Sequence, residues 1–218
     1  MKAFVAGATG ETGRRIVAEL VQRQIPVRAL VRNLEQARLL LPAEAELVQG
    51  DVLHLESLNA ALGDCNVVLC AIGARPSLDP TGPYKVDFEG TKNLIDVSKA
   101  RGIKQFVLVT SLCVSQIFHP LNLFWLILIW KKQAEEYLKK SDLTFTIVRP
   151  GGLKNEDNDW PILMGAADSL SEGSISRTKV AQVCVEALVQ PTARNRIVEI
   201  VATAEAPQKS LAALFAGV

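Results

Sequence analysis

Three glycines near the N-terminus, Gly7, Gly10 and Gly13, recur at a three-residue interval. The chemistry that such spacing serves is the binding of a dinucleotide pyrophosphate. The first glycine permits a tight turn, the second lets the backbone approach the phosphates, and the third lets a helix pack closely on its strand. The flanking sequence fits that use. An apolar run, Ala3 to Ala6, precedes the glycines, and Ile16, Val17, Leu20 and Val21 follow at helical spacing. The free N–H groups and dipole of the helix N-terminus would face the anion, with Thr9 and Thr12 adding hydroxyl donors. A glycine triplet alone also marks turns and caps, so the strand–turn–helix context is what favours a cofactor.

A second group of residues bears on which cofactor. An NAD site usually carries an acid at the end of the second strand to bind the ribose diol. Here the run Pro26 to Val31 ends in Arg32-Asn33. A guanidinium there suits a 2′-phosphate, with which it forms paired charge-assisted hydrogen bonds. This predicts NADP(H), with Arg14 and Arg15 as possible helpers or as ordinary surface charges.

These residues need elements to position them. Strands are expected at 2–6, 26–31, 45–49, 66–71, 104–109, 144–149 and 196–201. Helices are expected near 11–23, 34–41, 55–62, 86–101, 124–140, 177–189 and 209–215. Val67-Val68-Leu69-Cys70-Ala71 and Phe106-Val107-Leu108-Val109 are continuously apolar, as suits strands covered on both faces. Such alternation predicts an α/β, Rossmann-type, doubly wound parallel sheet of about seven strands with helices on both faces. Pro76, Pro80, Gly82 and Pro83 make 74–85 a loop, after the fourth strand, where open α/β sheets place their ligand crevice. Residues 151–175 read as a small, partly ordered flap on the substrate side. No linker or repeat divides 1–218, so one NAD(P)-binding domain is expected.

Composition narrows the function. At 49% hydrophobic and 22% charged residues, the chain is globular rather than disordered. A net charge of +1 gives no electrostatic reason to expect nucleic acid. The only histidines, His54 and His119, are far apart, which argues against a metal site. Cys65, Cys70, Cys113 and Cys184 lack C-x-x-C spacing, and three of them, in apolar runs, read as small buried hydrophobes in a reducing compartment. Met1 stands close to the first strand, so no targeting peptide is expected and the placement is cytoplasmic, with attachment to a membrane surface left open. The run 121–130, Leu-Asn-Leu-Phe-Trp-Leu-Ile-Leu-Ile-Trp, is about half a bilayer span. A buried helix start is the favoured reading. The alternative is an exposed patch for a protein partner or a membrane surface.

Taken together, the motifs resemble atypical short-chain dehydrogenase/reductases of the NAD(P)-binding, NmrA-like kind. The similarity is to small plant and cyanobacterial members, and more distantly to biliverdin-IXβ/flavin reductase. It is carried by Gly7-Ala8-Thr9-Gly10-Glu11-Thr12-Gly13, Ala29-Leu30-Val31-Arg32, Gly50-Asp51-Val52, Val86-Asp87-Phe88-Glu89-Gly90-Thr91 and Phe106 to Ser111. Further carriers are Trp130-Lys131-Lys132-Gln133-Ala134-Glu135, Thr146 to Leu153 and Ile175 to Ala181.

The resemblance implies roles. Gly7 to Gly13, Glu11 included, form the phosphate turn. Asp51 and Val52 sit against adenine. Ala71, Ile72 and Gly73 line the ribose and pyrophosphate side. Lys131 bonds the nicotinamide ribose, and Pro150, Gly151 and Gly152 border the nicotinamide. Ser111 aligns with the catalytic hydroxyl, or only caps a strand end.

Two departures stand out. Active relatives in the wider superfamily pair a Tyr with a Lys four residues later, the Tyr serving as acid/base. Lys131 aligns with that lysine, but Ile127 stands at the tyrosine position, and no Tyr-x-x-x-Lys occurs in the chain. Ordinary alcohol/ketone chemistry is therefore disfavoured. An NADPH-dependent reductase of flavins, quinones or similar conjugated acceptors is expected, or else a non-catalytic NADP(H)-binding sensor or docking factor. The second departure is Lys179, where the related pattern has an acid, which puts local packing in doubt.

Overall fold

The computed structural model describes residues 1–74, 79–123 and 125–218. Each of the seven expected strands is present: β1 (Ala3–Ala6), β2 (Val27–Val31), β3 (Glu46–Gln49), β4 (Val67–Cys70), β5 (Gln105–Val109), β6 (Phe145–Pro150) and, last in the chain, β10 (Arg196–Ala202). They lie in the order β3-β2-β1-β4-β5-β6-β10 and pair in parallel. The direction of winding reverses between β1 and β4. That is the switch point at which a doubly wound sheet opens its ligand crevice.

Helices cover both faces. On one side, α1 (Glu11–Gln22), α6 (Arg177–Ala187) and the short α7 (Leu211–Ala216) bury Ile16, Val17, Leu20, Val180, Val183, Cys184 and Phe215 against the sheet. On the other, α3 (Leu55–Leu62), α4 (Thr91–Ala100) and α5 (Ile127–Lys139) bury Leu58, Leu62, Leu94, Ile95 and Leu138. A short α2 (Leu34–Arg38) follows β2, capped by the Asn33 side chain. All four cysteines are buried and free. Burial pushes the Cys65 and Cys70 thiols up to about 11, so both behave as small hydrophobes rather than nucleophiles.

Three expectations are corrected. The segment 151–175 is not a partly ordered flap. It carries β7 (Gly152–Lys154), β8 (Ile162–Ala166) and β9 (Ser174–Ser176), which bring the sheet to ten strands. β8 pairs antiparallel along β10, and the Glu199 carboxylate accepts the N–H groups of Asp168, Ser169 and Leu170 to close the turn after it. Second, the helix expected at 86–101 opens with a π-helical turn, Tyr84–Gly90, that precedes α4. The loop expected at 74–85 therefore stops short of Tyr84, and its residues 75–78, Pro76 among them, lie outside the described residues.

The third correction concerns 121–130. The expected buried helix start is absent, and α5 begins only at Ile127. Trp125 and Leu126 adopt φ of +55° and +60°, a left-handed conformation that stops a right-handed helix from extending backwards. The buried Asn122 staples the loop: its side-chain oxygen accepts Leu128 N–H and its amide donates to the carbonyls of Gln116 and Ile117. Leu121, Leu123, Trp125 and Leu126 are exposed, together with Ile117 and Phe118, whereas Leu128 is buried. Phe124 lies outside the described residues. Among the described residues, no helix is long and apolar enough to cross a membrane.

An ion pair ties α1 to α6 on the first face. Arg23, just past α1, bonds Glu186 of α6 at 2.6 Å. Burial raises the Glu186 carboxyl pKa, but hydrogen bonds from Arg23 and Gln190 outweigh it and hold the group below the usual carboxylate range. A carboxyl depressed in the folded state contributes stability above its unfolded pKa, and loses it as pH falls through the folded value. The urea midpoint should therefore fall below about pH 4, and Glu186→Gln should flatten that fall. An unchanged acid limb in the variant would remove this pair from the account.

Candidate functional site

The loops after β1, β2, β3 and β4 enclose a cavity of about 380 Å³ at the switch point. Gly7, Thr9 and Gly10 line it from the first loop, Arg32 from the end of β2, Asp51 and Val52 from the third, and Ile72 and Gly73 from the fourth. Four other expected residues are not part of this wall. Ala71 N donates to Ala6 O, Thr12 is buried in the first turn of α1, and Glu11 and Gly13 are absent from the lining.

The three glycines differ physically. Gly7 has φ of +79°, and a Cβ there would lie 2.5 Å from Ala71 O. A Cβ at Gly13 would lie 2.0 Å from Gly7 O, so this position serves packing. At Gly10 the backbone is ordinary (φ −77°, ψ 163°), and the nearest atom to an added Cβ is Gly7 O at 3.2 Å. The protein itself nearly has room for a methyl group there. Gly10 itself lines the cavity, where a phosphate cradle needs the backbone open to approach.

Arg14 and Arg15 are spoken for. Both bond Glu11 Oε2, at 2.7 Å and 2.9 Å, and the hydrogen bond from Arg15 leads in holding the Glu11 carboxyl below its usual range. Arg32 is the cation on the cavity wall, exposed, with its carbonyl accepting from Gln49 Nε2. Asp51 borders the cavity and also closes its own turn, Oδ1 accepting Leu53 N–H at 3.0 Å.

A second cavity, of about 470 Å³, lies where the loops after β5 and β6 meet the segment before β9. Ser111, Leu112, Cys113, Gly151, Gly152 and Gly173 line it, with His119, Leu121, Glu172 and Arg177 among the remaining walls. Leu112 N–H donates to Pro150 O, which joins the two loops. Thus Ser111, Gly151 and Gly152 share one cavity and the phosphate turn another. Lys179 resolves its own anomaly, because it pairs with Asp157 at 3.2 Å and bonds Asn158 Oδ1. The partner that the related pattern supplies in place comes here from 157–158.

Lys131 extends from α5 to the loop after β4. Its Nζ lies 2.6 Å from Asp87 Oδ1, and a Cβ added at Gly73 would lie 3.8 Å from it. In the sequence Asp87 is one residue of a motif, with no role of its own. The signal that could have singled it out is an acid between Val86 and Phe88, on a stretch that must turn inward. One turn before Lys131, Ile127 packs beside the cluster of Leu112, Val114 and Leu128. The two tyrosines are engaged elsewhere: Tyr84 stacks edge-on to Trp130 with centroids 4.9 Å apart, and Tyr137 donates to Asp96 at 2.7 Å.

A largely buried ionic network links β6, α5 and β10. Arg149, fully buried on β6, bonds both oxygens of Glu135 on α5 (2.9 and 2.7 Å), Asp168 (2.8 Å) and Glu199 on β10 (3.2 Å). Thr110 Oγ1 donates to Glu135 at 2.7 Å. Burial opposes the guanidinium charge, but the bonds to Glu135 and Glu199 and the charge of Asp168 outweigh it and raise the Arg149 pKa. Glu135 lies one turn beyond Lys131, and Arg149 directly precedes Pro150 and Gly151, so the network fixes the walls from behind.

Residues 7–191 match the family described as NAD(P)H-binding. A chloroplastic protein of Arabidopsis thaliana is 47% identical and is matched over 82% of its length by the whole of this chain. The chloroplastic protein TIC 62 of Pisum sativum is 36% identical over 94% of the chain, which spans only 43% of that longer protein. Sanguinarine reductase of Eschscholzia californica is 30% identical over 90% of this chain and 87% of its own. Among solved structures, a Bacillus halodurans protein described as an NAD-dependent epimerase/dehydratase superposes with a TM-score of 0.89 at 27% identity, each chain covered in full. The cytoplasmic expectation is overturned by the two plant relatives from Arabidopsis thaliana and Pisum sativum, which match across the chain and are themselves chloroplastic. The chain belongs to the NAD(P)H-binding family of Rossmann-fold oxidoreductases, in its atypical short-chain dehydrogenase/reductase, NmrA-like branch.

Proposed function

We propose that the protein is an NADPH-dependent reductase whose acceptor is a flat conjugated molecule, such as a flavin, a quinone or a conjugated tetrapyrrole. The observation that carries this reading is the pairing of Lys131 with Asp87, with Ile127 one turn earlier. The lysine charge that elsewhere activates a phenol is held by a carboxylate, and no tyrosine stands at the position from which a proton would be given. When bound, NADPH supplies a hydride. The chain's own part is to bind and orient: the turn from Gly7 to Gly10 holds the pyrophosphate, Arg32 the 2′-phosphate, Asp51 and Val52 the adenine end, and Lys131 the nicotinamide ribose. The cavity beside Ser111, Gly151 and Gly152 takes the acceptor. Such a site works by proximity and orientation, and the proton comes from solvent. That sanguinarine reductase is a relative supports a reductase.

The test is NADPH consumption by the purified protein with flavin mononucleotide, menadione or biliverdin, beside simple ketones and with NADH in parallel. Saturable turnover of a conjugated acceptor is expected, and inactivity with all of them at high enzyme concentration would overturn the proposal. In the same assay Arg32→Ser should lose about 10- to 100-fold in NADPH affinity, the size of a charge-assisted contact, with little change for NADH. Equal losses for both cofactors would remove Arg32 as the phosphate reader.

A second reading rests on the exposed Ile117, Phe118, Leu121, Leu123, Trp125 and Leu126, a surface that a docking factor would use. It predicts NADPH binding without turnover. It also predicts that Leu123→Ser, at an 84% exposed position, weakens association with the partner and leaves stability intact.

A further inference from the structure

Asp87 has no part in the binding roles above, yet its surroundings are those of a built site. Its side chain is completely buried on the π-helical turn before α4. Oδ2 accepts Ala74 N–H at 3.0 Å, which fastens the loop after β4. Oδ1 faces Lys131 Nζ at 2.6 Å as an ion pair, with no aligned hydrogen-bond donor on it among the described residues. Both charged atoms converge on Gly73, whose added Cβ would lie 3.6 Å from Oδ1 and 3.8 Å from Nζ. Gly73 itself lines the cofactor cavity. A buried carboxylate is costly unless paired, and the cation that answers it is the one group assigned to the nicotinamide ribose.

We propose that Asp87 is a positioning residue, which holds the Lys131 ammonium in place for the nicotinamide ribose where a Tyr-x-x-x-Lys pair would have set a phenol against it. The proposal rests on the assignment of Lys131 made above. A lysine side chain has many rotamers, and an ammonium without a partner would be dispersed over them before the cofactor arrives. The carboxylate restricts that freedom in advance, so less is lost on binding. The same carboxylate fastens Ala74, so one residue fixes both the lysine and the loop that the cofactor meets.

The experiment compares wild type, Asp87→Asn, Lys131→Ala and the double variant by titration calorimetry, with NADPH and with 2′,5′-ADP. The second ligand ends before the nicotinamide ribose. Asn keeps the shape of Asp and an oxygen for Ala74 N–H but not the charge. Asp87→Asn should weaken NADPH on the order of tenfold and leave 2′,5′-ADP unchanged. The double variant should bind NADPH no worse than Lys131→Ala alone, because the two residues act as one unit. Equal weakening of both ligands would mark Asp87 as merely structural and overturn the proposal, as would additive losses or no loss in Asp87→Asn. If Lys131→Ala binds NADPH like wild type, the lysine assignment fails and the proposal with it. If only Lys131→Ala weakens binding, the proposal fails and the assignment stands.

Discussion

Replacement of Arg149 by methionine is expected to lower folding stability by about 3–5 kcal/mol, the cost of removing one partner from a buried ionic group. Arg149 is fully buried, and so are Glu135 and Glu199, which it bonds directly. The variant would leave two carboxylates in a low-dielectric interior without their cation. Glu199 would keep its three backbone N–H donors, whereas Glu135 would keep Thr110 and the more distant Lys132 ammonium at 3.8 Å. Glu135 should therefore be the more damaged of the two. Adding Glu135→Leu to Arg149→Met should recover part of the loss, since removing both partners is cheaper than stranding one. Urea denaturation of the single and double variants checks this. A loss below about 1 kcal/mol in Arg149→Met, the range of an exposed pair, would show that the network does not hold the sheet, α5 and β10 together.

Gly10→Ala is expected to do the opposite: to spare the fold and damage the site. The backbone of Gly10 is in a region open to any residue, and the closest obstacle to a methyl group is Gly7 O at 3.2 Å. The helix N-cap loses little, about 1 kcal/mol or less. The methyl group would stand where phosphate must approach the backbone, so NADPH affinity should fall more than about tenfold, equivalent to about 1.4 kcal/mol. Gly13→Ala makes the control. Its Cβ would meet Gly7 O at 2.0 Å, so it should destabilise the fold and lose binding together. Thermal unfolding and NADPH titration of the two variants side by side separate packing from ligand space. Tight NADPH binding by Gly10→Ala would mean that the phosphates lie elsewhere.

What the sequence made legible follows from signal strength. The core strands were readable because Val67 to Cys70 and Phe106 to Val109 are unbroken apolar runs, and burial on two faces leaves no other use for them. The glycine turn was readable because each glycine answers a steric demand, and the resemblance supplied most of the remaining wall. Strands β7 and β9 escape notice because each has three residues and is partly polar, whereas β8, though apolar, is set in place by pairing with distant β10 and by the Glu199 carboxylate, neither of which leaves a local pattern. The segment 121–130 misled because hydrophobicity reports a preference for burial, not its occurrence. The left-handed Trp125 and Leu126 and the Asn122 staple depend on contacts with 116–128 that periodicity does not encode. Asp87 was visible as a residue, but its meaning appeared only when the π-helical turn brought it to Lys131.

In the proposed reaction, hydride leaves bound NADPH for a conjugated acceptor without a proton supplied by the protein in the same step. The most direct measurement is single-turnover oxidation of NADPH by menadione on the purified protein, repeated with NADPH deuterated at nicotinamide C4 and separately in heavy water. The account predicts oxidation that saturates with menadione, is slowed by deuterium at C4 and is little changed by heavy water. A heavy-water effect as large as the C4 effect, or no oxidation of bound NADPH at all, would contradict it.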